Sequence, residues 1–86
     1  MRIEYSKAAV KALKMMEKAL RLRMKNAIEG LTETPPKGDI KAMKGDSAGR
    51  YRLRVGGYRV IYSYRNDGTV QILCVLDIGS RGDVYK

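Results

Sequence analysis

The chain has 86 residues, 18 of them Lys or Arg against nine Asp or Glu, for a formal charge of +9. That length holds one small domain with a modest core, residues 1–86, and not two. The charge favours an acidic partner: nucleic acid, an anionic membrane surface or an acidic protein. The chain has no histidine and one cysteine, Cys74. An internal disulfide, a cysteine-rich metal site and a histidine-activated nucleophile are therefore excluded, and no cofactor or metal is expected. The N-terminus lacks a signal-peptide pattern and no apolar run is long enough to span a bilayer, so a reducing cytoplasm is the expected setting, with no membrane partner.

Arg2-Ile3-Glu4-Tyr5 alternates polar and apolar residues and predicts a short first strand. Ser6 then fits an N-cap. From Lys7 to Glu29 there is neither Gly nor Pro. Val10, Leu13, Met16 and Leu20 recur at helical spacing, as do Met24, Ala27, Ile28 and Leu31. One rod of that length would run ~35 Å at 1.5 Å per residue, long for so small a domain. The expectation is two antiparallel helices that break between Met16 and Arg21, with Gly30 as the C-cap glycine. Lys11, Lys14, Lys18, Arg21 and Lys25 read as a solvated helix face, and the methionines as core filling.

Thr34-Pro35-Pro36-Lys37-Gly38 ends the helical region. Residues 39–46 read as a compact link anchored by Ile40 and Met43. The run Arg50-Tyr51-Arg52-Leu53-Arg54-Val55-Gly56-Gly57-Tyr58-Arg59-Val60-Ile61-Tyr62 is the most informative. At the strand period of two, Arg50, Arg52 and Arg54 point to one side and Tyr51, Leu53 and Val55 to the other. Gly56-Gly57 is a two-residue hairpin signal. It pairs Val55 with Tyr58 and sets Arg54 opposite Arg59. Like charges facing across a strand pair cost stability, whereas a polyanion would neutralise the face, so nucleic acid is the favoured partner.

Asn66-Asp67-Gly68 is expected to turn the chain into a third meander strand over 69–77. A three-residue turn with a bulge at Gly68 would put Val70, Ile72, Cys74 and Leu76 on the helix-packed face with Val60 and Tyr62. A two-residue turn would flip that strand. On the first version Cys74 is a buried, inert thiol, and the opposite face carries Arg52, Arg54, Arg59 and Arg65. The glycines of the tail, 77–86, would let Arg81 and Tyr85 come beside that basic face. The fold class is α+β: a short N-terminal strand, a two-helix hairpin packed on one sheet face, and a three-stranded antiparallel meander.

Three segments of the sequence resemble the RelE/ParE superfamily of toxins from type II toxin–antitoxin modules. They are Ile40-Lys41-Ala42-Met43-Lys44-Gly45, the run Tyr51–Tyr62, and Asp77-Ile78-Gly79-Ser80-Arg81-Gly82-Asp83-Val84-Tyr85. The strand–helix–helix–meander order also matches. The RelE branch implies a metal-independent endoribonuclease that cuts messenger RNA on the ribosome and inhibits translation. The substrate's own 2′-hydroxyl attacks the adjacent phosphate. By this resemblance the matching positions are Arg52, Arg54, Arg59, Arg81 and Tyr85, of which Arg59, Arg81 and Tyr85 are expected to be catalytic; Arg50, Arg52, Arg54, Lys41 and Lys44 are expected to bind RNA phosphate. An arginine fork binds phosphate bidentately and can stabilise the pentacoordinate transition state. Tyr85 would stack on a base or donate to phosphate, or else plug the end of the core. The resemblance also implies an acidic, partly disordered antitoxin that lays an amphipathic helix on the toxin. Operator DNA would be reached only through that antitoxin.

The chain departs from the family pattern at one point. Many ribonuclease members place Lys, Glu or His where a proton must move. Here Ser80 precedes Arg81 where relatives often have His, and arginine cannot act as a general base near neutrality. Lys41, Lys44, Tyr85 or the C-terminal region is left to supply that group. The ParE branch, which poisons DNA gyrase, shares the Gly-Tyr-Arg run and is one alternative. A catalytically inert, antitoxin-binding relative is the other.

Overall fold

The computed structural model describes residues 1–45 and 49–80. Strand β1 (Arg2–Tyr5) leads into helices α1 (Lys7–Lys14) and α2 (Lys18–Glu29), and a 3-10 turn (Gly30–Thr32) follows. The chain then forms strands β2 (Asp39–Ala42), β3 (Tyr51–Val55), β4 (Tyr58–Asp67) and β5 (Val70–Ser80). They make one five-stranded sheet in the order β1-β5-β4-β3-β2, in which β1 runs parallel to β5 and the other neighbours are antiparallel. This is the expected α+β architecture with one strand more. Residues 39–42, expected as part of a link, extend the sheet by pairing with β3. Ile40 does pack on the core, while Met43 lies on the other side of the sheet beside basic residues. No helix among the described residues is long and apolar enough to cross a membrane.

Ser6 joins the first strand to the first helix. Its hydroxyl accepts the Ala9 N–H at 3.0 Å and donates to the Leu76 carbonyl at 2.6 Å. The Ser6 N–H also reaches the Val75 carbonyl at 2.9 Å. The cap therefore pins α1 to β5. The helical break falls at 15–17, slightly earlier than expected. Met16 tucks into the core there, Met15 stays exposed, and Arg21 Nη2 donates to the Met16 carbonyl at 3.3 Å. Val10, expected inward, is exposed, and Ala9 is buried in its place. Gly30 caps α2 in a right-handed conformation, φ −61°, so the chain winds on into the 3-10 turn.

The helices cover one face of the sheet. Ala9, Leu13, Met16, Met24, Ile28 and Leu31 meet Leu53, Val55, Val60, Tyr62, Leu73, Val75 and Ile78 in one buried cluster. Tyr51 and Tyr62 stack with ring centres 5.5 Å apart, and Tyr64 meets Tyr62 edge-on at 5.7 Å. The Tyr64 hydroxyl donates to the Leu31 carbonyl at 2.8 Å, tying the end of the helical layer to β4. Burial raises the pKa of Tyr62 and, less strongly, of Tyr64.

The β3–β4 hairpin is as expected: Val55 pairs with Tyr58 and Arg54 with Arg59, and Gly56 takes φ +60° at the turn. The next turn is not. Asn66 and Asp67 belong to β4, Asp67 pairs with Val70, and Gly68-Thr69 forms a two-residue connection with Gly68 at φ +64°. A slip of one residue turns every side chain over. Leu73 and Val75 therefore face the helices, and Ile72 and Cys74 face away. Cys74 is half-buried on the reverse face rather than a core thiol.

A second irregularity partly restores the pattern. Tyr62 pairs with Val75 but Ile61 pairs with Asp77, so Leu76 is an extra residue in β5. A bulge of this kind re-aims the residues beyond it. In a regular strand Asp77 would follow Leu73 and Val75 into the core. The bulge sends Ile78 into the core instead, where it is 4 % exposed, and turns Asp77 to the reverse face.

Candidate nucleic-acid interface

On the face away from the helices, strand pairing lines residues up across the sheet. One row reads Asp39, Arg54, Arg59, Gly79 on β2, β3, β4 and β5. The neighbouring row reads Lys41, Arg52, Ile61, Asp77. Each position follows from period-two alternation, since Leu53, Val60 and Ile78 in between are committed to the core. Met43 and Lys44, just after β2, border the same face. Together they enclose a basin of about 300 Å³ lined by Lys41, Lys44, Arg52, Arg54 and Arg59, with Ala42, Met43 and Ile61 supplying apolar wall.

The polar chemistry of this basin is incomplete. Arg52 Nη1, Arg54 Nε and Arg59 Nε are shielded from solvent and find no acceptor among the described residues. An unsatisfied buried donor costs about 1–3 kcal/mol. Among the described residues, ion pairs join Arg2 to Glu4, Arg65 to Glu4 and Lys37 to Glu33, all outside the basin. Asp39 stands directly beside Arg54 in register, yet no ion pair forms between them. The Asp77 carboxylate accepts the Ile78 N–H at 2.9 Å. Three partly buried guanidinium groups thus converge with donors unused and with Arg54 and Arg59 facing each other. A phosphate would satisfy both the geometry and the charge, because a guanidinium presents parallel N–H groups that match two phosphate oxygens.

The residues expected at this site divide into three groups. Lys41, Lys44, Arg52, Arg54 and Arg59 come together. Arg50 lies just before β3 and outside the basin lining, its carbonyl accepting the Met43 N–H at 3.1 Å. Arg81 and Tyr85 lie outside the described residues. Arg65, expected on the basic face, is on that face but bound to Glu4 at 3.1 Å, toward β1. Sequence reasoning missed Asp39 and Asp77 as residues of this face. The alternation Asp39-Ile40-Lys41-Ala42 was the available signal for Asp39. Nothing in the sequence marks the bulge that turns Asp77.

Comparison with known proteins identifies the family and the fold. A family model described as the ParE toxin of the type II toxin–antitoxin system parDE matches residues 3–85. A chain of the archaeal RelE–RelB complex from Pyrococcus horikoshii is 32% identical, with a TM-score of 0.72 over 95% of this chain and 96% of that one. A chain of the RelB–RelE antitoxin–toxin complex from Methanococcus jannaschii is 31% identical, with a TM-score of 0.67 over 94% and 93%. A YoeB/ParE toxin from Agrobacterium tumefaciens shares the fold, with a TM-score of 0.79 at 20% identity over 94% and 99%. No protein of curated function matches the sequence significantly. The chain belongs to the RelE/ParE superfamily of type II toxin–antitoxin toxins.

Proposed function

We propose that this toxin is a ribosome-dependent endoribonuclease that cleaves messenger RNA in the basic basin. The observation that supports this reading most is the set of unused, shielded donors on Arg52, Arg54 and Arg59 around one concavity. The 2′-oxygen forms a bond to the adjacent phosphorus as the bond from phosphorus to the 5′-oxygen breaks. A cyclic phosphate and a 5′-hydroxyl result. One proton leaves the 2′-hydroxyl and one reaches the departing 5′-oxygen. Arg59, with Arg81 by family resemblance, clamps the phosphate and neutralises charge that builds up in the transition state. Lys41, Lys44, Arg52 and Arg54 hold the flanking backbone. Tyr85 stacks on a base or donates to phosphate. Proton transfer falls to Lys41, Lys44, Tyr85 or the C-terminal region, with the ribosome positioning the RNA. The similarity to toxins in RelE–RelB complexes supports an acidic antitoxin as cognate partner, and action on ribosomes places the protein in the cytoplasm.

The match to a family model described as ParE favours one second reading, a gyrase poison. Inducing the toxin alone and mapping reporter messages by primer extension separates the two. New 5′ ends confined to translated codons are expected. Intact messages together with accumulating gyrase–DNA cleavage complexes would establish the second reading. On programmed ribosomes Arg59→Ala should lower cleavage by a barrier increase of about 2–4 kcal/mol, the scale of losing one preorganised donor, with an unchanged fold. A near-native rate for that variant would remove Arg59 from the chemistry.

A further inference from the structure

Arg54 lines two cavities. Besides the basin, it borders a groove of about 380 Å³ beside α2 and the β3–β4 turn. The groove opens beyond the start of β2. The first pair of that strand is Asp39 with Arg54, so Val55 and Gly56 run on without a neighbour in β2. Gly38, at φ +125°, lets the chain pass close against the wall, since a Cβ there would lie 2.6 Å from Leu53 Cδ1. At the far side the Arg23 guanidinium rests against the hairpin turn. A Cβ on Gly56 would lie 3.4 Å from its Nη1 and 3.5 Å from its Nη2.

The charges in this groove do not cancel. Lys37 is paired with Glu33 at 3.1 Å. Among the described residues no carboxylate is paired with Arg23 or with Arg54. Two cationic residues with no paired carboxylate among the described residues, Arg23 by its guanidinium and Arg54, therefore border one concavity, and Arg54 also lines the basin. Grooves that carry single-stranded nucleic acid place cations in succession along the backbone path, and the volume is within the range that holds a small-molecule-sized group.

Building on the reading of the basin as an RNA site, we propose that the RNA strand continues over Arg54 into this groove. There Arg23 binds a second backbone phosphate, distinct from the one that reacts. Arg23 is then a substrate-binding residue rather than a catalytic one. It lengthens the footprint of the toxin on RNA and leaves the chemistry unchanged.

Fluorescently labelled 2′-O-methyl RNA, which cannot be cleaved by its own 2′-oxygen, is the probe. A trinucleotide fills the basin alone, and a dodecanucleotide can reach the groove. Arg23→Gln should bind the trinucleotide as wild type does but the dodecanucleotide roughly five- to tenfold more weakly. Its salt dependence on the longer RNA should be shallower by about 0.7 in log–log slope, one phosphate contact fewer on a single strand. Arg23→Lys should recover most of the loss. On programmed ribosomes Arg23→Gln should raise KM without lowering kcat. Unchanged affinity and slope on the dodecanucleotide would overturn the groove assignment, as would equal weakening of both RNAs. Failure of the basin reading looks different: Arg59→Ala would then leave binding of both RNAs unaltered.

Discussion

Arg54 stands between a like charge and an opposite one. β4 sets Arg59 against it and β2 sets Asp39 beside it, but no ion pair forms on the Asp39 side. The repulsion is therefore only partly offset. Arg54→Gln should stabilise the free protein by about 0.2–0.5 kcal/mol at low salt, the lower part of the range for a cross-strand pair. The gain should fade near 1 M salt, where the screening length is about 3 Å. RNA affinity should fall in the same variant, since the residue belongs to a site built for another charge. Urea melts of both proteins at two salt concentrations test this. A variant less stable at both would show that Asp39 holds Arg54 structurally. Glu4 shows the opposite balance. The Arg2 hydrogen bond at 2.7 Å, with Arg65 at 3.1 Å, holds its carboxyl below the ordinary value of 4.5. A depressed folded-state pKa contributes stability that is present above the unfolded value and lost as pH falls through the folded one. That contribution should therefore disappear below the usual carboxylate range. NMR titration should show Glu4 moving back toward the ordinary value in Arg2→Gln, and by less in Arg65→Gln. Titration of wild-type Glu4 at the ordinary value would contradict the pairing.

Among the elements, β5 carries the most information about the site. It is the strand between β1 and β4, its bulge at Leu76 turns Asp77 to the basic face, and Ser6 holds that bulge through the Val75 and Leu76 carbonyls. Ser6→Ala removes the N-cap of α1 and the bond to the bulge together. A lost cap costs about 0.5–2 kcal/mol and a lost hydrogen bond about 0.5–1.5 kcal/mol. A destabilisation of about 2 kcal/mol is expected, with faster amide exchange at Asp77 and Ile78 as the local signature. A loss confined to α1, with exchange in β5 unchanged, would mean that the bulge is held by strand pairing alone.

At the scale of the whole molecule, cations occupy both faces. The basin lies on one side of the sheet, while Lys7, Lys11, Lys14, Lys18 and Lys25 are exposed on the helices that cover the other. A formal charge of +9 on a chain of this size makes self-repulsion a general cost. The thermal midpoint should rise between about 0.01 M and 0.15 M salt, as the screening length drops from about 30 Å to 8 Å. At matched ionic strength, inorganic polyphosphate should raise it further by binding the native state. A midpoint indifferent to both would mean that the charges are already compensated in solution.

The sequence alone determined the parts of this protein that rest on local rules. Period-two alternation in 51–55 and the glycine pair at 56–57 dictate which side the arginines take and that Arg54 meets Arg59. Ser6 is legible as a cap because its chemistry acts within one helical turn. Arg52, Arg54 and Arg59 could be gathered in advance for the same reason, together with the family resemblance, whereas Lys41 and Lys44, expected in a link, join them because β2 pairs with β3. Tertiary structure decided the rest. The sequence of β5 is apolar on both sides, with Ile72 as fully buried on the reverse face as Leu73 is on the helix face, so alternation could not choose between a two- and a three-residue turn. The choice fell to packing against Val60 and Tyr62 and to pairing with β1. Strand β2 is only four residues long and becomes a strand by joining the open edge of β3, so its short alternation was too weak a signal by itself. The bulge at Leu76 exists because Ile78 must reach the core while Asp77 must not. That conflict arises only once the sheet has assembled against the helices, and its resolution sets a carboxylate at the end of the row containing Lys41 and Arg52.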